Sequence, residues 1–84
     1  MVTLLYFASL RESVGCSREE VPLPAGASTV AALVAYLRDR DPRWSQAFDP
    51  GKRLRVAVNQ HMADLATPLK SGDEVAFFPP VTGG

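Results

Sequence analysis

The 84-residue chain contains one cysteine and one histidine, carries no formal net charge, and has no long apolar run. Each scarcity closes off a class of function. A single thiol, Cys16, excludes an internal disulfide and an all-cysteine metal site, and a free reduced thiol fits a cytoplasmic protein. His61 has no cysteine or histidine companion at metal-ligand spacing, so it reads as an exposed loop residue rather than a ligand or general base. The nine basic and nine acidic residues are scattered, leaving no electrostatic footprint for a phosphate backbone or an anionic lipid; neither nucleic acid nor a membrane is expected as a partner. The apolar start, Met1–Phe7, is far too short to cross a bilayer, lacks a basic leader, and is soon followed by Arg11 and Glu12. It reads as a first strand.

What is present is the composition of an ordinary globular domain, 46% hydrophobic and 21% charged, with enough chain for one core and no second domain. After strand one, Val2–Phe7, the stretch Ser9–Val14 forms a short helical turn that Gly15 breaks. Strand two is Glu19–Leu23, with Val21 and Leu23 on one face, running into Pro24-Ala25-Gly26. Ser28 or Thr29 caps a helix in which Val30, Leu33, Val34 and Leu37 fall at i, i+3, i+4 and i+7. Arg38 and Arg40 favour its C-terminal dipole and Pro42 lies beyond it, so the helix spans Thr29–Asp41. Trp44 and Phe48 lie on one further helical turn over the edge of the core, and Asp49-Pro50-Gly51-Lys52 is a turn. Strand three is Leu54–Val58, followed by a tight connection, Asn59-Gln60-His61-Met62, in which Asn59 accepts a positive φ. Ala63–Leu69 reads as a short strand or coil, and Ser71-Gly72-Asp73 turns the chain into a last strand, Glu74–Phe78. This order predicts an α+β fold: a single mixed sheet with one main helix packed across it.

Pro79 and Pro80 lack backbone N–H groups, fix φ and disfavour helix before them, so the chain is expected to leave the domain in extended form. The chain then divides into a domain, 1–78, and an extended, flexible tail, 79–84. At about 3.3–3.6 Å per residue the tail reaches at most roughly 20 Å. Gly83 and Gly84 let bare backbone approach a foreign catalytic centre closely, which makes the Gly84 carboxylate the candidate reactive group, with Gly83 giving it access. Ordering the tail would cost about 1–2 kcal/mol per residue, so the free tail is expected to be mobile. Cys16 reads as an incidental thiol, with Arg18 the only nearby cation to lower its pKa. The pairs Glu19-Glu20 and Asp73-Glu74 read as solvated charges, since neighbours on a strand point to opposite faces.

Three segments carry a resemblance: Leu4-Leu5-Tyr6-Phe7-Ala8-Ser9-Leu10-Arg11-Glu12, Ala57-Val58-Asn59-Gln60, and the closing run from Gly72 through Phe77-Phe78-Pro79-Pro80-Val81-Thr82 to Gly83-Gly84. Together they resemble the small, sulfur-carrying subunits of molybdopterin synthase, over nearly the whole chain. The resemblance implies a ubiquitin-like β-grasp fold and a mechanism centred on Gly84. An activating enzyme of the ubiquitin-activating type would use ATP and magnesium to adenylate the terminal carboxylate. Sulfur from a donor protein would then displace AMP, leaving a thiocarboxylate. The loaded tail would give its sulfur to cyclic pyranopterin monophosphate inside the large catalytic subunit, the two subunits forming a heterotetramer. The small subunit is then a recharged co-substrate that binds no cofactor or metal of its own, any acid or base coming from the partner. Phe7, Arg11, Met62 and Phe78 match docking positions of the family, and Pro79, Pro80, Val81 and Thr82 belong to the segment that enters the partner. Phe7 and Phe78 read equally as core, since each strand buries one face. Three alternatives share parts of this pattern: a carrier for thiamine or another sulfur-containing product, a ubiquitin-like modifier joined to lysines, and a plain binding module, for instance for RNA. Zero net charge and the absence of a basic-aromatic surface disfavour the last.

Overall fold

A computed structural model describes residues 1–23, 28–49, 51 and 53–79. Strand β1 (Val2–Tyr6) is followed by helix α1 (Ala8–Val14), β2 (Arg18–Val21), α2 (Val30–Arg38), α3 (Pro42–Ala47), β3 (Arg55–Val58), β4 (His61–Ala63) and β5 (Glu74–Phe78). The strands form one five-stranded sheet in the order β2-β1-β5-β3-β4. Only β1 and β5 run parallel; β2 on β1, β3 on β5 and β4 on β3 are antiparallel. This is the mixed α+β sheet and β-grasp arrangement anticipated from the sequence. Alternation along β1 sends Val2, Leu4 and Tyr6 to one face, where Val56, Val58, Val75 and Phe77 join them beneath the helices.

Helix α2 is the main element across the sheet. The Thr29 hydroxyl accepts from the Ala32 N–H at 3.2 Å, and Val30, Leu33 and Leu37 are fully enclosed. Its first N–H groups, which have no partner inside a helix, donate to loop carbonyls: Val30 to Thr67 at 3.0 Å and Ala31 to Leu65 at 2.9 Å. The helix ends earlier than the expected Asp41. Asp41 instead caps α3, its Oδ1 accepting from the Arg43 and Trp44 N–H groups at 2.8 and 3.3 Å. Pro42 sits in the first turn of that helix, where its missing N–H costs nothing. The proline therefore starts a helix as well as closing one.

Trp44 and Phe48 are not an edge cover. Both belong to the buried cluster, with ring centroids 5.5 Å (Tyr6–Trp44), 6.1 Å (Trp44–Phe48) and 5.0 Å (Phe48–Phe77) apart. Helix α1 ends as expected at Gly15, whose φ of +81° is the left-handed cap that glycine adopts without strain. The connection after β3 is tighter than anticipated. Asn59 and Gln60 both have positive φ, +51° and +69°, the signature of a two-residue hairpin turn. His61 and Met62 thus lie on β4. The segments 24–27 and 80–84, with Pro50 and Lys52 of the expected turn, lie outside the described residues.

Candidate functional site

The helices cover one face of the sheet; the ladder register defines what lies on the other. Arg18 stands opposite Leu5, Leu5 beside Ala76, Ala76 opposite Ala57, and Ala57 opposite Met62. Cross-strand partners share a face, so these residues form a row from one edge of the sheet to the other. None of Leu5, Ala57, Ala76 and Met62 belongs to the buried core cluster. Met62 is 66% exposed, while Ala57 and Ala76 form a low, sheltered middle. At the end of β5 the rings of Phe7 and Phe78 stack in parallel, with centroids 4.9 Å apart. Phe7 is exposed and Phe78 half-buried.

Of the docking candidates, Phe7 and Phe78 are in direct contact and Met62 shares their sheet face. Neither phenylalanine is core. Arg11 lies on α1 one turn beyond Phe7, its N–H donating to the Phe7 carbonyl at 3.3 Å, and is exposed. Pro79 is half-buried at the end of β5; Pro80, Val81, Thr82, Gly83 and Gly84 lie outside the described residues. Leu5, Ala57, Ala76 and Arg55, which stands opposite Phe78, were not singled out from the sequence. Period-two alternation through Leu4-Leu5-Tyr6 and Val56-Ala57-Val58 was the signal that places Leu5 and Ala57 there.

The two acidic pairs require correction. Asp73 is buried, not solvated. Its Oδ1 accepts from Asn59 Nδ2 at 3.0 Å and its Oδ2 from the Lys70 N–H at 2.9 Å. Asn59 also accepts from the Glu74 N–H at 3.0 Å, so one asparagine makes the hairpin turn and clamps it to β5. The Asn59 amide and the Lys70 N–H hold the Asp73 carboxyl below its ordinary value. Substitution Asp73→Ala, which leaves these donors without their acceptor, is expected to cost about 1–3 kcal/mol. Because the folded-state pKa is depressed, this stability is present above the ordinary aspartate value of 3.8 and is lost as pH falls through the lower folded value. Urea unfolding at neutral and acid pH should therefore show the penalty of Asp73→Ala becoming smaller in acid by its charge-dependent part. A penalty that does not change with pH would separate the clamp from the carboxylate's charge.

Glu19 is half-buried at the centre of a second network. It pairs with Arg40 at 2.7 Å and accepts from Tyr6 Oη at 3.2 Å and Cys16 Sγ at 3.8 Å. Arg40 in turn lies over the Trp44 ring, 4.5 Å from its centroid. Burial first, then the Glu19 charge, pushes the Cys16 thiol up, which makes it a poorer source of thiolate. The cations that oppose this are Arg40 and Arg43, in place of the expected Arg18. Burial and Glu19 likewise push the Tyr6 hydroxyl upward, so it stays protonated. His61 is exposed at the start of β4. Among the described residues no group of three His, Cys, Asp or Glu is placed to hold a metal.

What the described residues offer is a sheet face with an apolar central row and an aromatic pair at the end of the last strand. Comparison with known proteins fits that arrangement. The chain is 48% identical to the molybdopterin synthase sulfur carrier subunit of Escherichia coli, over all of both chains. Among solved structures it resembles SAMP1 of Haloferax volcanii, a small archaeal modifier protein 1, with 30% identity and a TM-score of 0.74 over 99% of this chain and 98% of that one. It also resembles a chain in the complex of subunits 1 and 2 of the molybdopterin-converting factor from Helicobacter pylori, with 28% identity and a TM-score of 0.66 over 99% and 97% of the two chains. The ThiS family model matches residues 4–84, and the chain belongs to the ThiS family.

Proposed function

We propose that this chain is the sulfur carrier of molybdopterin biosynthesis, and that the Gly84 carboxylate is its working group. The observation that carries the reading is the placement of the Phe7–Phe78 stack where β5 hands the chain to Pro79 and the closing glycines. A partner that grips this face receives the tail beside it. A carboxylate is a poor electrophile with a poor leaving group, so an adenylating enzyme first joins it to AMP from ATP, with magnesium, releasing pyrophosphate. Sulfur from a donor protein then displaces AMP and leaves a thiocarboxylate. Its soft, anionic sulfur is the nucleophile delivered to cyclic pyranopterin monophosphate in the large subunit, which supplies the acid and base groups.

In this reading Phe7, Arg11, Met62 and Phe78 are docking residues, the segment from Pro79 through Pro80, Val81 and Thr82 enters the partner, and Gly83 keeps the path narrow. The fold serves as a handle and the domain works in the cytoplasm. The likeness to SAMP1 supports a second reading, a protein modifier joined to lysines by the same activated terminus. Intact mass separates the two. After incubation with the activating enzyme, ATP and a sulfur donor, the chain should gain the mass difference of one sulfur in place of one oxygen, and a chain with an extra residue after Gly84 should not. Covalent conjugates on other proteins, with no such mass change, would favour the modifier.

A further inference from the structure

The cover over the core is incomplete beside α2. Val34, Leu54 and Ala63 are only half-buried against the core cluster, and all of them line one cavity of about 630 Å³ between α2, the end of α3 and the start of β3. Phe48, Val56 and Phe77 form part of its wall. This volume is typical of small-molecule sites. Charge in the lining is uneven: Arg38, Arg53 and Arg55 stand against Asp49 and Asp64. Among the described residues none of these makes an ion pair, the pairs present being Arg40–Glu19 and Arg43–Asp41. Arg38 gives a second, independent sign. Its Nε is shielded from solvent, yet it donates to no acceptor among the described residues. A buried donor on a charged group without an acceptor is costly, and a small shift of the Arg38 side chain toward an oxyanion in the cavity would supply one.

We propose that this cavity binds a small amphiphilic anion, its apolar body against Val34, Leu54 and Ala63 and its carboxylate or phosphate on Arg38. Arg53 adds positive field at the rim. Inorganic phosphate alone would leave the apolar lining bare, and a neutral apolar molecule would leave Arg38 Nε without an acceptor. Both halves of the ligand are needed. The site lies on the helix side of the sheet, takes no part in sulfur chemistry at Gly84, and stands whichever function the tail serves.

The test is an amide NMR titration of the full chain with 2-naphthyl phosphate and with 2-naphthoate, beside inorganic phosphate and 2-naphthol. At least one of the two amphiphilic anions should give saturable shifts at Val34, Leu54 and Ala63, with a Kd on the order of 1 mM or tighter. Phosphate and naphthol should be much weaker, and the preference between the two anions identifies the head group. Arg38→Gln should weaken binding by roughly tenfold or more. Val34→Phe, which fills the cavity and leaves all three arginines in the chain, should abolish it. Naphthol binding as tightly as the anions would overturn the role of Arg38, and no saturable shift from either anion would overturn the site.

Discussion

Removal of Gly84 is expected to abolish sulfur loading while leaving the fold and the affinity for the large subunit essentially unchanged. The shortened chain still ends in a glycine carboxylate, so its intrinsic chemistry is the same. What changes is reach. One extended residue spans about 3.3–3.6 Å, and a displacement of only about 1 Å at a reacting centre can cost roughly a hundredfold. Loading at the activating enzyme should therefore fall by more than that factor, read as the thiocarboxylate fraction by intact mass against time. The core gives no reason for a stability change, because its last member among the described residues is Phe77. Affinity should hold because the proposed anchors, Phe7, Met62 and Phe78, are all retained. A chain ending at Gly83 that loads at the rate of the full chain would remove Gly84 from the mechanism.

Local patterns in the sequence located the elements that obey them. The last strand, Glu74–Phe78, matches residue for residue, because a turn before it and prolines after it bound a β-branched, aromatic run. The apolar spacing of Val30, Leu33 and Leu37 likewise marks the buried face of α2, and the positive φ at Asn59 follows from its place in a hairpin. Boundaries were harder where one residue serves two neighbours. Pro42 signals a stop for the helix before it, yet its fixed φ equally begins α3.

The partnered acids were illegible for a different reason. Asp73 owes its burial partly to Asn59, 14 positions away, and Glu19 owes its ion pair to Arg40 on the far side of α2. A carboxylate is tolerated away from water only when partners meet it, and folding alone brings these together. Ala57 and Ala76 show the converse. Alternation gives the face that Ala57 takes, but only the register, which sets both alanines between Leu5 and Met62, reveals the low middle of the proposed docking surface.

That surface makes the second large expectation. Phe78→Ala should weaken binding of the large subunit by about 2 kcal/mol or more, a factor of roughly 30. Its effect on folding should be small by comparison. The ring is half-buried and its main aromatic contact is the stack on Phe7, worth about 0.5–1.5 kcal/mol. Phe77→Ala is the natural contrast. That neighbour is 1% exposed and packs against Tyr6 and Phe48, so its loss should cost about 3–5 kcal/mol of stability and affect binding only through unfolding. Calorimetric titration with the large subunit, paired with thermal unfolding of each variant, resolves the two effects. If Phe78→Ala binds as tightly as the unaltered chain while remaining folded, the aromatic stack is not an anchor, and docking must rest on the Leu5–Met62 row or on the tail itself.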